Sequence, residues 1–317
     1  MRMPFHIAYF LIALLVVSGC RIETAKPALQ KRLVIASDYL NEGDTVLFRS
    51  FSKSTHTRII ILPWNKSKII GEFRNNKYNT GIDLFMIKSL SDVHYLQKRK
   101  LFQSLKLSTN LKEEYMDFSS EKYDYFGFGY DPYVVAYPKQ NYPTIKMYND
   151  LTRHYYVKDL DDSEMIPMIA PVLAKMRKTD ANKWLMRLYA HNLGDSIVSD
   201  SVLGRLPILT SYSNFQANMD NKFYSGKTIV LPNYKSTGTF YNLRTMCIAY
   251  QAENYNEALE FVDFYLREEN NPVLNKALNT IGISSSEFGF RKYYIHSEEM
   301  LQYYVLVERS INRFSTK

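Results

Sequence analysis

The chain has 317 residues, of which 46% are hydrophobic and 23% charged, a balance that excludes a disordered chain and allows a substantial core. Its formal net charge of +8 favours anionic lipid, an envelope polymer or an anionic ligand as a partner, or else a diffusely basic surface. Because only two cysteines are present, a framework of several disulfides is excluded.

The first twenty residues have the features of a secretory signal. Arg2 precedes an apolar run from Phe5 to Val17 that is too short to span a bilayer comfortably. The tetrapeptide Val17-Ser18-Gly19-Cys20 that follows resembles the bacterial lipobox. This resemblance implies a lipoprotein signal over 1–20, a lipid on Cys20, a tether over 21–32, and a periplasm-facing protein in the cell envelope. Nucleic acid is not an expected partner there. An uncleaved anchor and a chance cysteine are the alternatives.

The next third of the chain alternates between strand and helix patterns. Compact apolar or β-branched runs predict strands at 33–36, 58–62 and 82–87. Apolar residues at helical spacing predict helices over 44–54, around 69–73 and over 93–105. This alternation predicts a parallel sheet with helices on its faces.

The remaining chain continues the alternation. Strands are predicted at 133–138, 205–212, 228–232 and 245–250, and helices at 180–190 and 297–313. A further helix is predicted to begin near Asn254, with a capping-box spacing to Glu257 and an apolar stripe of Ala258, Phe261, Val262, Tyr265 and Leu266. Cys247 is predicted to be a packed thiol within a buried strand.

The sequence carries no motif typical of catalysis. The six histidines do not have the spacing of a zinc site, and no phosphate-binding glycine loop or nucleophile elbow is present. The acidic segment 161–164 is predicted to be a solvated helix start rather than a carboxylate site. An enzyme is therefore not expected.

The order of these segments resembles a known family. Residues 33–37, 51–61, 81–85, 133–151 and 258–266 resemble successive segments of the type II periplasmic solute-binding proteins, in particular the ferric-iron-binding branch of extracellular solute-binding family 1. The resemblance implies an α/β fold of two lobes, each a mostly parallel sheet flanked by helices, with a ligand cleft between them. Lobe 1 is expected over 33–132, lobe 2 over 133–244, and a return to lobe 1 with C-terminal helices over 245–317.

The resemblance also implies a function. Such a protein is the solute-binding component of an ABC importer, captures its solute by lobe closure, and docks on an ABC permease in the inner membrane. A monomer without a resident cofactor is expected. The alternative is a degenerate solute-binding-like lipoprotein that acts as an interaction or sensor-docking protein.

The ferric-iron-binding branch holds Fe³⁺ through two adjacent tyrosines. Tyr212 matches the first of them, whereas Ser213 stands where the second would be. Asp38 and Tyr39 follow the first predicted strand and are candidate oxygen ligands. The resemblance thus implies ferric iron as the transported ligand, with Tyr212 and Tyr39 as metal ligands, although the loss of one phenolate weakens this interpretation.

A small anionic or polar solute is the competing ligand. Lys88 and Ser89 follow the third predicted strand, where open α/β sheets bind ligands. Ser211, Tyr212 and Ser213 would supply hydroxyl groups, and Thr237 lies in a small polar turn that is either an oxyanion-binding loop or an ordinary one. Tyr212 is alternatively an aromatic residue of the cleft wall.

Overall fold

The computed structural model describes residues 31–63, 70–71, 80–104, 115, 118–120, 124–140, 144–160, 162–174, 176–193, 205–233, 238–267, 269–283, 303 and 307. The lipobox and Cys20, the tether up to residue 30, and Thr237 lie outside the described residues, as do most of the helices predicted around 69–73 and 297–313.

Strands and helices alternate along the described chain. The strands are β1 (Arg32–Ser37), β2 (Arg58–Pro63), β3 (Leu84–Ile87), β4 (Phe126–Pro138), β5 (Val157–Lys158), β6 (Ile208–Ser211), β7 (Lys227–Val230), β8 (Tyr241–Ile248) and β9 (Ile281–Gly282). The α-helices are α1 (Arg49–Thr55), α2 (Leu90–Lys98), α3 (Asp162–Ala174), α4 (Lys178–His191), α5 (Tyr212–Ala217), α6 (Tyr255–Leu266) and α7 (Asn271–Ala277). The 3₁₀ helices are Glu42–Phe48 and Tyr148–Thr152.

The strands form a mixed sheet in the order β2-β1-β3-β8-β4-β6-β5. β1 pairs in parallel with β2 and β3, whereas β8 runs antiparallel to both of its neighbours, β3 and β4. Beyond β4, β6 is antiparallel to β4 and parallel to β5, and β7 and β9 also pair antiparallel with β4. The predicted α/β class with flanking helices is confirmed, whereas most strand pairings among the described residues are antiparallel and not parallel as expected.

One long strand connects two hydrophobic cores. The first half of β4 pairs with β8, from Phe126 opposite Met246 to Pro132 opposite Tyr241, and the second half pairs with β6 from Tyr133 onward. Side chains up to Tyr130 belong to a core that includes β1, β3 and α6, whereas Tyr133 and Val135 belong to a core built from residues between 133 and 240 together with Val307. We call these the first and second cores. Since β4 passes from one to the other, the two packed regions meet at the middle of this strand.

The apolar stripe of α6 shows how the first core is built. Ala258, Phe261, Val262, Tyr265 and Leu266 are all buried. The Phe261 ring lies 5.2 Å from that of Phe48 and 5.1 Å from that of Phe51 in edge-on arrangements that favour aromatic packing. The predicted helix and its buried face agree with the structure.

Several element boundaries differ from the prediction. β4 begins at Phe126 instead of residue 133, and β8 begins at Tyr241 instead of residue 245. Tyr212 begins α5 rather than ending a strand, because the Ser211 hydroxyl accepts a hydrogen bond from the Asn214 amide at 3.2 Å and so caps the helix. The observed boundaries place Asp131 within β4, Arg244 within β8 and Ser213 within α5.

Two further expectations concern burial and membrane crossing. Cys247 is fully buried in β8, and burial raises the pKa of its thiol, as a packed rather than a reactive cysteine requires. None of the helices in the described part of the chain combines the length and the apolar character that a membrane crossing needs.

Candidate functional site

A cleft of about 1000 Å³ lies where the two cores meet. It opens at the carboxyl ends of strands: Tyr39 follows β1, Lys88 follows β3, and Ser211 ends β6. Ligands of open α/β sheets bind at this edge. The lining residues on the side of the first core are Tyr39, Leu40, Asp44, Leu47, Lys88, Arg244, Ala277, Leu278 and Asn279. Those on the side of the second are Lys158, Asp159, Leu160, Glu164, Ser211, Ser213, Asn214 and Ala217.

A buried ion pair lies in the wall of this cleft. Arg244 Nη2 on β8 lies 2.6 Å from Asp131 Oδ2 on β4, and the two side chains are only 6% and 3% exposed. Ser213 completes the arrangement: its amide donates to Asp131 Oδ1 at 2.8 Å and its hydroxyl to Asp131 Oδ2 at 2.6 Å. Arg244 Nη2 also donates to the Ser213 hydroxyl oxygen at 3.0 Å. Ser213 is therefore part of the support of the ion pair.

Part of this network has unused hydrogen-bonding capacity. Arg244 Nε and Nη1 are buried and have no hydrogen-bond partner among the residues that the structure describes. The same holds for the Tyr39 hydroxyl, and the Arg244 guanidinium carbon lies 4.7 Å from the centre of the Tyr39 ring. Burial raises the pKa of Tyr39 well above its usual value, so the side chain is a neutral phenol that can donate.

Asp38 lies directly behind the cleft. Burial raises the pKa of its carboxyl to about 6, although the Lys88 amide and the charges of Arg244 and Lys88 act in the opposite direction. The Lys88 amide donates to Asp38 Oδ1 at 2.9 Å, which links the ends of β1 and β3. This carboxyl therefore titrates near neutral pH.

An ion pair bridges the two sides of the cleft. Lys88, after β3, pairs with Glu164 on α3, and both side chains are partly buried. The Tyr133 hydroxyl donates to the Glu164 carbonyl at 2.5 Å and helps to hold this turn of α3. Closing or opening the cleft must change this pair.

The opposite wall is organised around Asp159. Its Oδ2 accepts a hydrogen bond from Asn214 Nδ2 at 2.8 Å and another from the Tyr224 hydroxyl. Asn214 Nδ2 also donates to the Thr210 hydroxyl at 3.0 Å. These bonds fix the positions of Asp159 and Asn214 in the cleft lining.

The structure brings together some of the predicted site residues. Tyr39, Lys88, Ser211 and Ser213 line the cleft, and Asp38 lies behind it. Ser89 is buried at the start of α2. Tyr212 packs partly against the first core and is not among the lining residues, although both of its neighbours are. Cys20 and Thr237 lie outside the described residues.

Sequence reasoning missed Arg244 and Asp131. Asp131 lies in the first half of β4, where Gly127, Gly129 and Pro132 interrupt the apolar pattern, and Arg244 lies one residue before the strand predicted at 245–250. A signal was nevertheless present: Asp131 lies between Tyr130 and Pro132, and Arg244 lies within the largely apolar stretch from Leu243 to Ile248. Charged residues in such surroundings are rarely buried without a partner.

The described donors do not form an evident metal centre. Within the residues that the structure describes, no group of three or more His, Cys, Asp or Glu side chains is placed to hold a metal ion. A ferric site would therefore depend on tyrosines. Tyr39, however, lies against the Arg244 guanidinium, whose positive charge disfavours a nearby cation.

Comparison with known proteins identifies the fold. Protein-family models and curated protein sequences gave no match. Solved structures did: the Trichodesmium protein IdiA (FutA) in complex with iron and citrate has a TM-score of 0.75 at 16% identity, over 90% of this chain and all of that one. The ferric binding protein of Campylobacter jejuni also has a TM-score of 0.75 at 16% identity, over 89% and 99% of the two chains.

The open conformation of Mannheimia haemolytica ferric iron-binding protein A gives a TM-score of 0.73 at 15% identity, over 90% and 98% of the chains. The chain therefore has the two-lobe fold of type II periplasmic binding proteins of the ferric-binding type, which confirms the resemblance at the level of the fold.

Proposed function

We propose that this protein is the solute-binding component of an ABC importer and that it captures a small solute by closure of its two lobes. The observation that carries the proposal is the cleft between the two cores, whose wall holds the buried Arg244–Asp131 pair with unused donors. The fold supports it, since hinge closure around a ligand is the way in which two-lobe binding proteins work. No catalytic step is part of the proposal.

The chemistry of the cleft favours an anionic or polar solute over ferric iron. In the position of a second tyrosine, Ser213 supplies no phenolate, and its hydroxyl donates to Asp131. Arg244 has unused N–H donors for the oxygens of an anionic or polar solute, and a guanidinium group cannot ligate a metal ion. Ferric iron bound through Tyr212 and Tyr39 is the competing solute, and it has support from the fold relatives, which are ferric-binding proteins.

The setting of this activity follows from the N-terminal pattern. A lipid on Cys20 would hold the protein to a membrane of the cell envelope, with the lobes on the periplasmic side. The closed protein would then deliver its solute, as a monomer, to an ABC permease in the inner membrane. The lipid, the permease and the monomeric state belong to the proposal.

A thermal-stability screen of residues 21–317 tests the capture of a solute. The panel contains ferric ion, inorganic phosphate, carboxylates, amino acids and sugars. A solute that binds only the folded state stabilises it by RT ln(1 + [L]/Kd), about 2.7 kcal/mol at one hundred times Kd. We expect at least one class to raise the melting temperature in a concentration-dependent way. If no class does so, the interaction or sensor-docking alternative takes the place of this proposal.

Ferric iron has its own spectroscopic test. Titration of the same protein with Fe³⁺, followed in the visible range, would reveal a tyrosinate-to-iron charge-transfer band. A saturable band that disappears in Tyr212→Phe or Tyr39→Phe would establish iron as the solute. We expect no saturable band. Arg244, which lies against Tyr39, is positively charged, and the Ser213 hydroxyl is already hydrogen-bonded.

A further inference from the structure

The donors that the Arg244 ion pair leaves unused indicate which chemical group the cleft accepts. A guanidinium group has five N–H donors in a fixed plane. Nη2 contacts Asp131 and Ser213, which leaves the three N–H groups of Nε and Nη1 without an acceptor among the described residues. Buried donors without acceptors are rare in folded proteins, and each one calls for an explanation. Since Arg244 lines the cleft, a bound solute is the explanation that fits its position.

Tyr39 adds a further donor beside these three. Its ring lies against the guanidinium, and its hydroxyl is also buried without a partner among the described residues. Tyr39 lines the cleft as well, directly after β1. Arg244 and Tyr39 are therefore neighbours in the cleft lining with several unused hydrogen-bond donors, and the phenol oxygen of Tyr39 adds an acceptor.

The remaining charges of the cleft restrict the net charge of the solute. Among the described lining residues, the acids Asp44, Asp159 and Glu164 balance the bases Lys88, Lys158 and Arg244. Arg244 is also already compensated by Asp131. A doubly charged anion such as phosphate would add two negative charges near these carboxylates, whereas a monocarboxylate adds one and a zwitterion adds none.

We infer that the solute is a small molecule of low net charge whose carboxylate accepts hydrogen bonds from Arg244 and Tyr39. This inference rests on the proposed function. A carboxylate offers two oxygens with several lone-pair directions, and its hydrogen bonds to guanidinium are charge-assisted and therefore strong. Closure of the lobes removes this contact from water, which strengthens it further.

Isothermal titration calorimetry of residues 21–317 tests this inference. The probes are lactate, glutamine, glutamate and succinate, with inorganic phosphate, Fe³⁺ and the carboxamide analogue of any binding carboxylate for comparison. The variants are Arg244→Lys, which keeps the charge but removes the planar fork, and Tyr39→Phe, which removes no hydrogen bond among the described residues and should fold. Arg153→Gln is the matched control, since Arg153 is exposed and does not line the cleft.

We expect a carboxylate to bind and its carboxamide analogue to fail. Affinity should fall roughly 10- to 100-fold in Arg244→Lys and roughly 2- to 10-fold in Tyr39→Phe, as expected for the loss of charged and neutral hydrogen bonds, with no change in Arg153→Gln. Equal affinities in all variants would overturn the inference, and so would binding confined to phosphate, Fe³⁺ or the carboxamide, while the proposed capture of a solute would stand. Failure of every compound here and in the thermal screen would overturn both.

Discussion

Asp83 and Asp131 are both buried, but they differ in whether their hydrogen-bond partners have unused donors. Asp83 is completely buried beside β3, where its carboxylate accepts from the Val34 amide at 2.8 Å and from the amide and side chain of Asn254 at 2.9 and 3.0 Å. These bonds tie β1 and the start of α6 to the end of the loop before β3. Both carboxylate oxygens of Asp83 are therefore satisfied within the fold.

Asp131 is equally buried, but its partner is not satisfied. Arg244 donates to Asp131 and Ser213 through one nitrogen only, and its other two nitrogens have no partner among the described residues. A buried polar group that completes its bonds inside the protein stabilises the fold. One that leaves donors unused at the wall of a cleft is suited to a ligand. The contrast between Asp83 and Asp131 therefore separates a structural network from a binding network.

The largest effect is expected from Asp131→Asn. The substitution leaves the Arg244 charge buried without a counter-charge, which in other proteins costs about 3–5 kcal/mol of the free energy of unfolding. Urea unfolding followed by circular dichroism measures it. The double variant Asp131→Leu with Arg244→Met should recover most of that loss, because no buried charge remains. A double variant less stable than Asp131→Asn would contradict this account of the ion pair.

A smaller effect is expected from Asp83→Asn, with a different signature. The amide group that replaces one oxygen faces backbone donors instead of accepting from them, so we expect a loss of about 2–3 kcal/mol in the same unfolding assay. Solute affinity should be unchanged, since Asp83 does not line the cleft. Weaker solute binding in this variant would remove the distinction between the two networks.

The Asp38 carboxyl makes the free energy of unfolding depend on pH. Because burial raises the pKa of its carboxyl from 3.8 to about 6, the folded state binds more protons than the unfolded state between these values. Its contribution to stability is therefore fully present below pH 3.8 and is lost as the pH rises through about 6. The groups that act on it are Lys88, Arg244 and Asp92, and the first two oppose the shift.

The check is urea unfolding of the wild type and Asp38→Asn between pH 4 and pH 7. The asparagine can still accept from the Lys88 amide, so the variant should fold. It should lack a fall in stability on the order of 1–2 kcal/mol that the wild type shows over this range. Parallel pH profiles of the two proteins would show that Asp38 does not titrate as described.

The smallest effect is expected from Lys88→Met. Its partner Glu164 lies across the cleft and both side chains are partly exposed to water, so the pair should contribute less than about 1 kcal/mol to the closed arrangement. Solute affinity should fall by no more than about 5-fold, the equivalent of that energy. A much larger loss would mean that Lys88 contacts the solute itself.

The sequence predicted the fold well because the fold depends on patterns that lie close together in the chain. The apolar run of β1, the stripe on α6 and the alternation of strands and helices are local features, and the α/β class followed from them. The loop positions of Tyr39 and Lys88 followed too, because the carboxyl ends of neighbouring parallel strands meet at one edge.

The binding network could not be predicted in the same way. Asp131 and Arg244 are 113 positions apart in the chain, and only the pairing of β4 with β8 brings them together. Ser213 was considered as a substituted iron ligand, but its contacts with Asp131 and Arg244 depend on the turn from β6 into α5. Burial and unused donors are properties of the packed molecule, so no motif announces them.

The most direct test of the central claim is small-angle X-ray scattering of residues 21–317 with and without the solute that stabilises the protein most. The account predicts that the radius of gyration falls as the cleft fills, and that Arg244→Lys needs a roughly 10- to 100-fold higher solute concentration for the same fall. A solute that binds without any change in the radius of gyration, or an equal fall in both proteins at the same subsaturating concentration, would contradict capture by lobe closure on Arg244.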